Sequence, residues 1–117
     1  WGYLPAEHYR ELLALSDIVL SSADHDFQGL SVLEAVAAGA TPVVPARQAY
    51  PEWFGAAACY PVTGELEADA TAFADAIVAR LDPASRAAPV DLSRLQWARG
   101  GDQYRRLLLD LTALHRL

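Results

Sequence analysis

The sequence predicts an α/β fold, the second half of a Rossmann-like doubly wound parallel sheet finished by C-terminal helices. Two runs, Ile18-Val19-Leu20 and Pro42-Val43-Val44-Pro45, are too short for helices and apolar on both faces, as in parallel strands covered from both sides. Segments of helical periodicity alternate with them across brief connections, which is the order of βα units. At 117 residues there is room for one domain. Three short strands make half of such a sheet. The chain opens Trp1-Gly2-Tyr3-Leu4-Pro5, with no Met and no leader pattern, so residues 1–117 are expected to be part of a longer protein.

Each element has its own signal. After Pro5, which is tolerated at a helix start, Tyr9, Leu12, Leu13 and Leu15 recur at helical spacing over Ala6–Leu15. The first strand follows at Ile18–Leu20 and a loop at Ala23–Gly29. Leu30–Ala38 is rich in helix formers, with Gly39 where a left-handed cap would sit. Pro42–Pro45 is the second strand, with its prolines at the ends. Ala46–Phe54 reads as a loop, Ala58–Pro61 as a third strand, and Ala70–Leu81 as a helix burying Phe73, Ala74, Ile77, Val78 and Leu81. Pro83–Pro89 is a linker. Leu92–Trp97 and Asp102–Leu114 read as helices separated by a break at Gly100-Gly101.

Composition narrows the function classes. Apolar residues make up 53% and charged residues 21%, which excludes a disordered chain. Charged residues interrupt every apolar run before the roughly 18 residues of a membrane span, so no membrane partner is expected. A net charge of −6 disfavours binding of this piece to polyanions by bulk charge. The single cysteine, Cys59, cannot form an internal disulfide, which suits a cytoplasmic location; it is expected to be a small buried apolar group.

In open α/β sheets ligands sit at the carboxyl ends of the strands, which directs attention to the loop after Leu20. That loop reads Ser21-Ser22-Ala23-Asp24-His25-Asp26-Phe27-Gln28-Gly29 and runs into a helix. Gly29 can hold a backbone turn closed to other residues, and the amides of Leu30, Ser31 and Val32 would then face outward as an anion site. Glu34 lies about one turn into the helix, and helical side chains lean back toward the N-terminus, so its carboxylate reaches the same mouth. Amides beside a carboxylate suit a phosphate attached to a diol, hence a nucleotide or sugar nucleotide. Asp26 is placed to accept hydroxyls of a sugar.

These residues carry a resemblance. Asp26 and Glu34 are separated by seven residues, and Asp26-Phe27-Gln28-Gly29-Leu30-Ser31-Val32-Leu33-Glu34-Ala35 with Gly39 and Pro42-Val43-Val44 resembles the E-x7-E region of retaining family 4 glycosyltransferases. Ala14–Leu20 is similar to the lead-in of that region, and Trp97 with Tyr104 to a W-x(n)-Y pattern in the terminal helices. His25–Gly29 and Tyr50-Pro51-Glu52 resemble most the tRNA-queuosine α-mannosyltransferase-like branch.

The resemblance implies a two-domain GT-B enzyme of which this chain is the C-terminal portion of the nucleotide-sugar-binding domain. It implies transfer of a hexose, mannose from GDP-mannose, with retention and without a metal or other cofactor, and queuosine in tRNA as an acceptor. By matched position Asp26 would be the catalytic-site residue that holds the donor sugar, and Glu34 would hold the ribose hydroxyls. His25, Phe27, Gln28, Gly29, Leu30 and Ser31 would complete the donor site. Asp26 stands where the family has Glu, one methylene shorter, and Gln28 where it has an aromatic. The basic pair and the acceptor side would come from an upstream N-terminal domain of the same protein, so the isolated chain is expected to be inactive.

The alternative reading is a non-catalytic α/β ligand-binding or interaction domain. A receiver-type domain needs a distal Lys, and the chain has none. Three consecutive residues, Asp24, His25 and Asp26, rarely converge on one ion, so no metal site is expected. Tyr50-Pro51-Glu52 admits a plain rigid turn before a packed Trp53. Arg105-Arg106 reads as a solvated face, and Trp97, Tyr104 and Leu107 as core. The isolated piece is expected to dimerise through its open sheet edge.

Overall fold

The computed structural model describes residues 2–86 and 88–114, with residue 114 alone described by its backbone. The architecture is the expected α/β one: a three-stranded, all-parallel sheet alternating with helices, plus C-terminal helical segments. Helix α1 (Ala6–Ala14) leads into β1 (Ile18–Leu20), and α2 (Leu30–Ala37) crosses over to β2 (Thr41–Pro45). A short α3 (Tyr50–Phe54) and a 3-10 turn lead to β3 (Cys59–Tyr60), followed by α4 (Leu66–Leu81). The sheet runs β1-β2-β3 in register Ile18 to Thr41, Leu20 to Val43, and Val44 to Cys59.

The sheet order explains how prolines sit in a central strand. Successive residues of a parallel strand direct their backbone groups to opposite neighbours. Thr41 N–H donates to Asp17 and Val43 C=O accepts from Ser21, so the partners of Pro42 would lie on the β3 side. There β3 pairs only from Val44 onward, and the missing N–H of Pro42 leaves no ladder bond unmade.

Alternation along β2 and β3 divides the core. Val44 packs with Val32 and Val36 of α2, Tyr50 and Phe54 of α3, and Ala58, with Cys59 half-buried beside them. On the opposite face Tyr60 meets Phe73 of α4, ring centroids 5.0 Å apart. The α4 stripe buries less than its spacing suggests: Phe73 and Ile77 are half-buried, while Val78 and Leu81 are exposed.

Several expectations need correction. Ala46–Phe54 is not all loop, because Tyr50 and Phe54, one turn apart, are both buried with stacked rings 6.1 Å apart, and Pro51 fits the first turn of α3. Helix α4 begins at Leu66, four positions before Ala70. Asp69 receives Thr63 N, Thr63 Oγ1 and Gly64 N at 2.7, 2.8 and 3.1 Å and so pins the entry turn, a polar device that apolar periodicity does not register. The linker contains a 3-10 turn at Pro83–Ser85, and its residue 87 lies outside the described residues.

Ser93–Leu95 is also only a 3-10 turn, whereas α5 (Trp97–Leu114) runs unbroken through Gly100-Gly101. The Trp97 ring lies beside Gly101 and meets Tyr104 at 6.5 Å, a Cβ at Gly101 being 3.3 Å from the indole. Trp97, Tyr104 and Leu107 are not core: they are 77%, 64% and 54% exposed on a helix that stands off the sheet. Among the described residues no helix is long and apolar enough to cross a membrane.

Candidate functional site

The loop after β1 is built around Asp26. Gly29 takes the left-handed conformation, φ 62° and ψ 41°, that turns the chain into α2. Its N–H donates to Asp26 Oδ1 at 2.7 Å, and the Tyr50 hydroxyl donates to Asp26 Oδ2 at 2.7 Å. The Tyr50 oxygen also lies 2.9 Å from Ser21 Oγ. A phenol has one proton; with that proton given to the carboxylate, the Ser21 hydroxyl is the donor in the second bond. Tyr50 is 1% exposed, so this chain of bonds is anchored in the core cluster.

The electrostatics follow from these bonds. Asp26 is held below the ordinary carboxylate value, first by the Tyr50 hydroxyl and then by the Gly29 amide. Burial, with Asp26 alongside, pushes Tyr50 up, so it stays a donor. The second carboxylate has a phenol of its own: Tyr9 of α1 donates to Glu34 Oε2 at 2.8 Å, and that bond is the largest cause of the upward shift of Tyr9.

The sequence-predicted residues lie as a loop and a helix start. His25, Phe27 and Gln28 are exposed, Phe27 at 95%; Asp26 is half-buried and Gly29 buried. Leu30, Ser31 and Glu34 are exposed on the first turns of α2. No side chain caps this helix, so the amides of the exposed Leu30 and Ser31, which have no carbonyl partner within the helix, stay open to an anion. The Gly29 amide, by contrast, is occupied by Asp26.

Gln28, Leu30 and Glu34 also border a groove of ≈ 820 Å³ whose apolar wall includes Leu33, Trp53 and Val90. That volume suits a small organic ligand. Asp26 is not in its lining. At the carboxyl ends of β2 and β3, Arg47 is engaged by Asp24 at 2.6 Å and Asp69 at 3.9 Å. Among the described residues no group of three or more His, Cys, Asp or Glu gathers to hold a metal.

Tyr9 and Ser21 are contacts of the site that sequence reasoning missed, and Tyr50 was seen only as a motif letter. Tyr9 reads as part of the apolar stripe of α1, and its hydroxyl leaves no mark in a periodicity. Tyr50 carried a signal: a phenol buried in a core requires a polar partner.

The fold and this loop define a parallel α/β domain with two tyrosine-bound carboxylates at the head of a helix. Compared with known proteins, the chain is 44% identical over 52 residues to a tRNA-queuosine alpha-mannosyltransferase of Drosophila melanogaster. That stretch is 44% of this chain and 14% of the relative, so the domain is related to a glycosyltransferase over a limited part of both. No family model matches the chain, and no solved structure matches it.

Proposed function

We propose that this chain is the donor-binding part of a retaining glycosyltransferase that moves a hexose, mannose from GDP-mannose, to queuosine in tRNA. The observation that carries the reading is the 52-residue similarity to an enzyme of that name. The Asp26 loop and the uncapped start of α2 give it chemistry. The open amides of Leu30 and Ser31 take the diphosphate, Glu34 the ribose hydroxyls, and Asp26 the donor sugar, with His25, Phe27 and Gln28 around it. No metal is required where helix amides and a partner domain share the phosphate charge.

In this reading the remaining half of the cleft comes from an upstream domain of the same cytoplasmic protein. Transfer needs donor and acceptor held together, so residues 1–117 alone bind the donor weakly and do not turn it over. The test is the full-length protein incubated with radiolabelled GDP-mannose and tRNA containing queuosine. Label in the tRNA, lost when the tRNA lacks queuosine, is the expected result. Transfer from another nucleotide sugar would correct the donor, and no transfer from any nucleotide sugar to any acceptor would remove the enzyme reading.

A further inference from the structure

We propose that Tyr50 is a positioning residue of this site: by donating to Asp26 and accepting from Ser21, its hydroxyl holds the carboxylate and the Gly29 turn in the arrangement that receives the donor sugar. This rests on the donor-site reading of Asp26. Three observations on separate atoms support it. The phenol oxygen is 2.7 Å from Asp26 Oδ2 and 2.9 Å from Ser21 Oγ, so it ties the end of β1 to the loop that follows. The ring fixes the turn by contact, since a Cβ built on Gly29 would come within 2.7 Å of its Cε1 atom. The ring itself cannot swing away, being 1% exposed and stacked on Phe54.

The arrangement divides the labour of Asp26. One bond to each carboxylate oxygen is spent inside the protein, on Gly29 and on Tyr50, and each oxygen keeps acceptor capacity for a ligand hydroxyl. A carboxylate fixed at both oxygens does not have to be reordered as charge develops on the bound sugar, so the tether acts on the transition state and appears in kcat rather than in donor binding. Asp26 is thereby a ligand-facing group, and Tyr50 acts through it.

The experiment is Tyr50→Phe in the full-length protein, which keeps the ring and removes only the hydroxyl. Sugar transfer should fall about tenfold to hundredfold in kcat, the range for losing a hydrogen bond to a charged partner. KM for the nucleotide sugar should change little, because Glu34 and the α2 amides are untouched. In an Asp26→Ala background the same substitution should cost almost nothing further. Equal losses in both backgrounds, or a parallel rise in KM, would mean a general packing role and overturn the proposal.

A second readout does not depend on turnover. Amide hydrogen exchange over residues 23–29 should quicken in Tyr50→Phe relative to wild type while exchange in α4 stays unchanged. Unaltered exchange in the loop overturns the tether whatever the activity shows. Absence of transfer by the wild type sinks the donor-site reading instead, and exchange still decides the tether.

Discussion

The hydroxyl of Tyr9 donates to Glu34 Oε2 at 2.8 Å, joining two helices across 25 positions of sequence. With the Tyr50–Asp26 bond, it means that each carboxylate of the Asp-x7-Glu pair accepts a phenol brought in by a different helix. Each carboxylate thus accepts one bond from inside the protein and keeps further lone pairs for ligand hydroxyls. The two differ in setting: Tyr50 is sealed in the core, whereas the Tyr9–Glu34 bond is solvent-exposed.

Under the proposed donor-binding function, Glu34→Ala is expected to lower kcat/KM for transfer by about ten- to a hundredfold, through the hydrogen bonds that its carboxylate would give up. Tyr9→Phe removes only the outer brace and should cost about two- to tenfold, the equivalent of 0.5–1.5 kcal/mol. Steady-state kinetics of both variants in the full-length protein check the order. A Tyr9→Phe loss as large as that of Glu34→Ala would contradict it.

The pH dependence of stability has a definite sign on each side. Asp26 sits below its ordinary 3.8 because Tyr50 and Gly29 donate to it, and Asp69 and Asp91 sit below theirs through the Thr63 and Ser93 amides. Between the folded and unfolded values the unfolded chain binds more protons, so this stabilisation is complete above pH 3.8 and lost as pH falls through the folded values. Tyr50 and Tyr60 are raised above 10.0, chiefly by burial, so the folded state holds those protons longer. Their contribution is complete below pH 10.0 and lost as pH rises through the folded values. Melting temperatures followed by circular dichroism should form a plateau that falls at both extremes. Asp26→Asn should flatten the acid side and Tyr50→Phe the alkaline side; an unchanged acid side in Asp26→Asn would contradict the assignment.

Fold and site were legible to different depths. Ile18–Leu20 and Pro42–Pro45 announced parallel strands because buried strands are written in short apolar runs, and Gly29 announced its turn because few other residues adopt it. What failed were elements fixed by distant partners. The helix at Tyr50–Phe54 exists because both rings enter a core built by α2 and β2, and the early start of α4 because Asp69 reaches back to Thr63. Trp97 and Tyr104 misled for the complementary reason. Aromatic residues at helical spacing mark an apolar face, and spacing does not say whether that face is covered.

Gly29 provides a stability test of the same loop. Its φ of 62° lies in the left-handed region, where a side chain costs about 1–2 kcal/mol. An added methyl would also sit 2.7 Å from Tyr50 Cε1, on a ring that Phe54 and the surrounding core hold in place. Gly64 supplies the control, with φ of 91° and nothing within 4 Å of its would-be Cβ. Both substitutions to Ala carry backbone strain, and only Gly29→Ala carries the collision. Gly29→Ala should therefore lower the melting temperature further than Gly64→Ala, and by about 4 °C or more for each kcal/mol of difference in a chain of this size. It should also weaken the Tyr50–Asp26 bond by displacing the ring, and so quicken amide exchange over residues 23–29, an effect Gly64→Ala should lack. Equal melting temperatures and equal exchange in the two variants would show that the loop yields to the methyl group and that Tyr50 does not hold the turn.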